Sequence, residues 1–117
     1  MRKVLLVVFG VLLMVTNSYS AQTCSGKISG VSIASAGSVY ATVKSSTSNL
    51  TDVVFCELNA TGGSYSGKSC NGILSLLLSG EAMNKTATLW FEDSKFSNCT
   101  QSWKGLSEFG FYHFKIN

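Results

Sequence analysis

Gly62, Gly67, Lys68 and Ser69 fall on the spacing G-x-x-x-x-G-K-[ST]. In a phosphate loop of that spacing, backbone N–H groups cradle the phosphates, the lysine reaches their outer oxygens and the hydroxyl holds magnesium. Such a loop follows a strand, opens a helix and sits in a parallel sheet whose other strands supply a magnesium-binding aspartate. Locally the chain imitates this: Val53 to Leu58 precedes the loop, and Leu89-Trp90-Phe91-Glu92-Asp93 is an apolar run ending in acids. A parallel sheet needs crossover connections, however, and the chain has room for only one long helix. Cys70, directly after Ser69, restrains the loop further if it is oxidised. Neither a nucleotide nor any other cofactor is expected.

Other chemistry is sparse. His113 is the single histidine and lies in an aromatic tail, so a Ser-His-acid arrangement has one candidate base, better read as a sheet-face or core residue. Glu92 and Asp93 are adjacent and point to opposite faces of a strand, which is wrong for a paired acid and base. An enzyme is not expected. The basic residues of the exported part (Lys27, Lys44, Lys68, Lys85, Lys95, Lys104 and Lys115) are scattered and include no arginine, so no nucleic-acid footprint is seen.

Cys24, Cys56, Cys70 and Cys99 contain no C-x-x-C pair, which argues for two structural disulfides rather than a metal site. Four cysteines allow three connectivities, and sequence alone does not select one. The favoured pairing joins Cys56 to Cys70, closing a local loop between a strand and the helix start, and Cys24 to Cys99, tying the N-terminus to a late loop.

Arg2 and Lys3 precede an apolar run from Val4 to Val15 and the small residues Ser18 and Ser20, the pattern of a secretory signal peptide over residues 1–20. The run is too short for a bilayer span of roughly 20 residues. Residues 21–117 are then one small domain, exported to the periplasm or beyond, whose net charge falls to +1 once Arg2 and Lys3 leave a chain of +3. Sequons at Asn49, Asn59, Asn84 and Asn98 carry meaning only in a eukaryotic secretory pathway.

Alternation and turn residues place the elements. Lys27 to Ser35 and Ser38 to Lys44 read as a hairpin turning at Gly37, Ser45 to Leu50 as a polar connection, and Val53 to Leu58 as a third strand. Asn71 is a candidate N-cap for a helix carrying Ile73, Leu74, Leu76, Leu77, Leu78 and Met83. Gly80 marks a close helix contact, and Asn84 suits a left-handed end. Ala87, Leu89 and Phe91 alternate with Thr88, Trp90 and Glu92 in a fourth strand. After a polar loop following Cys99, Phe109 to Ile116 is a fifth, with Phe109, Phe111 and His113 on one face. Three strands, a helix and two strands predict a β-rich α+β domain: a small OB-like five-stranded barrel or sheet with one helix between strands 3 and 4.

The segment GKSCNGILSLLLSGEAMNKTATLWFED, followed by Cys99, Trp103, Glu108 and the tail FGFYHFKIN, resembles a group of small exported bacterial proteins, most of unassigned activity. At fold level the chain is similar to the pentameric B subunits of AB5 toxins of the subtilase-cytotoxin type, through Ser29-Gly30-Val31 in the first strand, the Cys56 strand and the helix followed by Leu89-Trp90-Phe91. That resemblance implies an OB-fold, glycan binding, a ring-forming assembly and a sugar contact from the Ser29 hydroxyl; the plainer role of Ser29 is an exposed strand serine. Trp103 is expected to plug the barrel, the alternative being an exposed ring that stacks on a sugar or anchors a protein. Glu108 is a candidate to bond either loop backbone or ligand. The expected function is a non-enzymatic binding module for a glycan, or alternatively a monomeric protein-interaction or inhibitor protein.

Overall fold

The computed structural model describes residues 22–61, 67–92, 95, 96 and 98–117. The expected signal segment 1–20, Gly62 and Asp93 lie outside these residues. Along the chain run β1 (Gln22–Ile33), β2 (Ser38–Lys44), β3 (Asn49–Glu57), α1 (Gly67–Ala82), β4 (Thr86–Phe91), β5 (Thr100–Ser102), a 3-10 turn (Leu106–Phe109) and β6 (Phe111–Ile116). The domain is therefore β-rich α+β, with its helix between the third and fourth strands.

Among the described residues the sheet has six strands in the order β5-β3-β2-β1-β4-β6, not five, and its ladder does not close into a barrel. The extra strand comes from the segment after Cys99, read above as loop: Thr100–Ser102 pairs in parallel with Asn49–Thr51 at the start of β3. The remaining pairs are antiparallel. β5 and β6 are separated by the 3-10 turn, which ends at Gly110 in the left-handed region (φ 72°). The last aromatic strand accordingly starts at Phe111 rather than Phe109. Its pairing with β4 shifts between Trp90/His113 and Phe91/Phe111, which leaves Tyr112 as an extra residue and reverses the alternation. Phe111, Phe114 and Ile116 thus pack with the core while His113 is exposed, correcting the expected grouping of Phe111 with His113.

β1 starts earlier than its apolar residues suggest, because its two halves serve different partners. Gln22 to Lys27 pair with β4, and Lys27 to Ile33 pair with β2. The switch falls at Gly26, where a Cβ would stand 2.5 Å from the backbone carbonyl of Lys44, so only glycine lets the strands approach this closely. β3 likewise begins at Asn49, the polar connection being reduced to a turn in which Ser45 Oγ accepts from the N–H groups of Thr47 and Ser48.

The core lies on one face of the coiled sheet, built from the inward residues Val39, Ala41 and Val43 of β2 and Ala87, Leu89 and Phe91 of β4, all fully buried. Each large aliphatic side chain so buried contributes roughly 1.5–3 kcal/mol. Phe55 of β3 meets Phe111 and Phe114 of β6 edge to face, at centroid distances of 5.8 and 5.6 Å. Rings, not backbone hydrogen bonds, bring these two distant strands together.

α1 covers the core with Cys70, Ile73, Leu77 and Gly80. At Gly80 a Cβ would stand 2.6 Å from Ile28 Cδ1, which accounts for a glycine inside the helix. The helix begins at Gly67, four residues before the proposed Asn71 cap, where the Gly67 N–H donates to the Ala60 carbonyl (3.0 Å) and the Cys56–Cys70 disulfide fastens the first turn to β3. It ends as expected on Asn84 (φ 53°): the Lys85 N–H donates to the Gly80 carbonyl and the Asn84 N–H to the Glu81 carbonyl, a Schellman closure. No helix among the described residues is long and apolar enough to cross a membrane.

Candidate functional site

Disulfides and strand pairing together fix the loop that carries the candidate residues. The second disulfide joins Cys24 of β1 to Cys99, just before β5, and the Asn49 N–H donates to the Cys99 carbonyl at 2.7 Å. From there β5 runs along the start of β3. The Trp103 N–H then donates to the Thr51 carbonyl (3.2 Å), and the Val54 N–H donates to the Lys104 carbonyl (2.9 Å). Trp103 is therefore pinned on both sides to the edge of β3.

Its backbone sits in the left-handed region, at φ 57°. For a bulky residue this conformation costs about 1–3 kcal/mol and persists only where the surroundings impose it. The ring does not plug the core, contrary to the expectation: Trp103 is 69 % exposed. The core space a plug would take is filled by the Phe55, Phe111 and Phe114 rings. Trp103 instead packs edge-on against Tyr40 of β2, with centroids 5.7 Å apart. Tyr40 lies between the inward residues Val39 and Ala41 and so presents its ring on the outer face.

Beside this aromatic pair runs a shallow groove lined by Asn49, Thr51, Thr100, Gln101, Ser102 and Lys104. Its amide and hydroxyl groups both donate and accept hydrogen bonds. Thr51 Oγ1 donates to Asn49 Oδ1 at 2.9 Å, which orients that amide. An aromatic face bordered by amides and hydroxyls suits a ligand with an apolar face and a hydroxylated edge.

Glu108 lies in the same loop, in the 3-10 turn, where its Oε2 accepts from the Gly105 N–H at 3.2 Å. Its observed role is bonding to loop backbone. Ser29 is exposed on β1 opposite Thr42, at the start of a register shift that contains Gly30 (φ 61°). It shares the outer face of the sheet with Tyr40 but is two strands from the Trp103 loop. Trp103 and Glu108 are thus brought into one loop, while Ser29 lies apart from them on β1. Tyr40, Asn49, Thr51 and Gln101 did not emerge from the sequence as site residues. Tyr40 was the detectable one: it is an aromatic on the polar side of the strand Val39-Ala41-Val43.

Gly67, Lys68 and Ser69 occupy the first turn of α1, but the sheet around them is not that of a phosphate loop. β3 has an antiparallel neighbour, β2, and a three-residue parallel one, β5, while β4, which precedes Glu92, is not adjacent to it. His113 packs against Trp90 with its ring tilted by 59° and the centroids 4.7 Å apart, on the exposed face of β6. No group of three or more His, Cys, Asp or Glu among the described residues is placed to hold a metal ion. Comparison with protein-family models, curated proteins and solved structures finds no match to this chain.

Proposed function

We propose that this is an exported, non-enzymatic binding module whose ligand is a carbohydrate, held on the outer face of the sheet by Trp103 and Tyr40 with the polar groove beside them. The observation that carries this reading is Trp103 itself: a large ring kept in water on a left-handed backbone, between Ser102 and Lys104 of the polar groove lining. Burying such a ring would help a small domain, so its exposure is better explained by a ligand than by folding. Two disulfides support an oxidising compartment, in keeping with secretion or a periplasmic location.

The fold is read as an OB-like barrel left partly open. Its support is the long β1 shared between β2 and β4 and the parallel β3–β5 pair. In OB-folds the corresponding face and loops receive oligosaccharides or oligonucleotides, and a near-neutral exported chain favours the former.

A protein partner is the second reading, favoured by the exposed Leu76, Leu78 and Met83 in and just after α1. Glycan-array binding together with solution mass separates the two. Array signal lost in Trp103→Ala supports the saccharide reading, and a pentamer would support a toxin-like ring. A monomer with no array signal would overturn the saccharide reading and leave the interaction or inhibitor role.

A further inference from the structure

A second feature lies at the other end of the β1–β2 pair. The register sets Lys27 directly opposite Lys44, and like charges facing each other across strands repel. The two strands are also unusually close there, since the Gly26 backbone leaves no room for a Cβ above that of Lys44. A cleft opens beside the lysines, walled by Ser45, Ser46 and Thr47 of the β2–β3 turn and by Thr86 of β4, with no carboxylate in its lining. Lys27 Nζ donates to the Asn84 carbonyl at 2.6 Å, which holds that ammonium in place, whereas among the described residues the Lys44 side chain has no hydrogen-bond or ion-pair partner.

We propose that this cleft binds a phosphate monoester. Two ammonium groups match the charge of about −1.5 to −2 that such a group carries at pH 7, and the surrounding hydroxyls donate to its remaining oxygens. Binding relieves the repulsion between Lys27 and Lys44 that the strand register creates. The site is separate from the phosphate-loop spacing at Lys68; it adjoins the groove beside Trp103, since Lys44 pairs with Asn49 across β2 and β3, but the two linings share no residue.

The test is a titration of the disulfide-bonded protein with inorganic phosphate, glucose 6-phosphate and glucose, at ionic strength held constant with chloride, followed by amide NMR shifts. Saturable shifts centred on Lys27, Lys44 and Ser45 to Thr47 are expected with the phosphate-bearing probes. Lys44→Gln is expected to weaken them at least fivefold and Lys68→Gln to leave them unchanged; Lys27→Gln serves in place of Lys44→Gln should the latter lose its amide dispersion. Tighter binding of the ester than of inorganic phosphate supports a phosphorylated ligand, and equal binding supports recognition of the phosphate group alone. Shifts that do not saturate, that glucose reproduces, or that survive the loss of either lysine would overturn the proposal.

Discussion

Trp103 packs edge-on against Tyr40, at a centroid separation of 5.7 Å and an interplanar angle of 63°, across the intervening strand β3. The contact joins the loop after β5 to the outer face of β2 and holds an indole in solvent. Two costs meet at this residue: the left-handed backbone and the exposed ring.

Replacing Trp103 by glycine removes both costs along with the aromatic contact. An edge-to-face pair is worth roughly 0.5–1.5 kcal/mol, while release of the left-handed strain returns about 1–3 kcal/mol and the added chain freedom of glycine takes back roughly 0.5–1 kcal/mol. Urea unfolding of Trp103→Gly is expected to give a stability within about 1 kcal/mol of wild type. A loss well above about 3 kcal/mol would mean that the ring is a structural plug after all.

Two glycines are expected to respond in opposite directions. Gly26→Ala forces a Cβ to within 2.5 Å of the Lys44 backbone, which has no flexible end to yield, so a destabilisation of about 2–3 kcal/mol is expected. Gly72 lies in α1 with nothing within 4 Å of its Cβ position, and Gly72→Ala is expected to stabilise by up to about 1 kcal/mol through helix propensity. Thermal melts of the two variants check the signs.

The two disulfides close loops of very different length, with sequence separations of 75 for Cys24–Cys99 and 14 for Cys56–Cys70. Chain entropy assigns them about 4.5 and 3 kcal/mol respectively. The double variant Cys24→Ser/Cys99→Ser is therefore expected to lose more stability than Cys56→Ser/Cys70→Ser, as read by denaturant midpoints. The reverse order would point to strain or residual structure governing the effect.

Asn84 tolerates its left-handed conformation better than a residue without a short polar side chain. Asn84→Ala is expected to cost about 1 kcal/mol, and Asn84→Gly to fall near or above wild type. Loss of stability in both would place the role of Asn84 in its side chain rather than in its backbone.

Period-two patterning made β2 and β4 legible, since Val39-Ala41-Val43 and Ala87-Leu89-Phe91 alternate cleanly with polar or outward residues. The helix end at Asn84 and the contact at Gly80 followed from the same local logic. β5 escaped because Thr100, Gln101 and Ser102 carry no apolar signal, and their pairing depends on Cys24 and Asn49, far away in sequence. The face assignment of β6 failed at Tyr112, because an inserted residue reverses parity and leaves no trace in composition. Trp103 was misplaced for a related reason: whether a lone loop aromatic points in or out is decided by the space already filled by Phe55, Phe111 and Phe114.

The most direct test of the central claim is calorimetric titration of an array-selected saccharide into wild type, Trp103→Gly and Tyr40→Ala. The account predicts at least a tenfold loss of affinity in Trp103→Gly with the fold retained, and a smaller loss in Tyr40→Ala. Equal affinity in wild type and Trp103→Gly would contradict it.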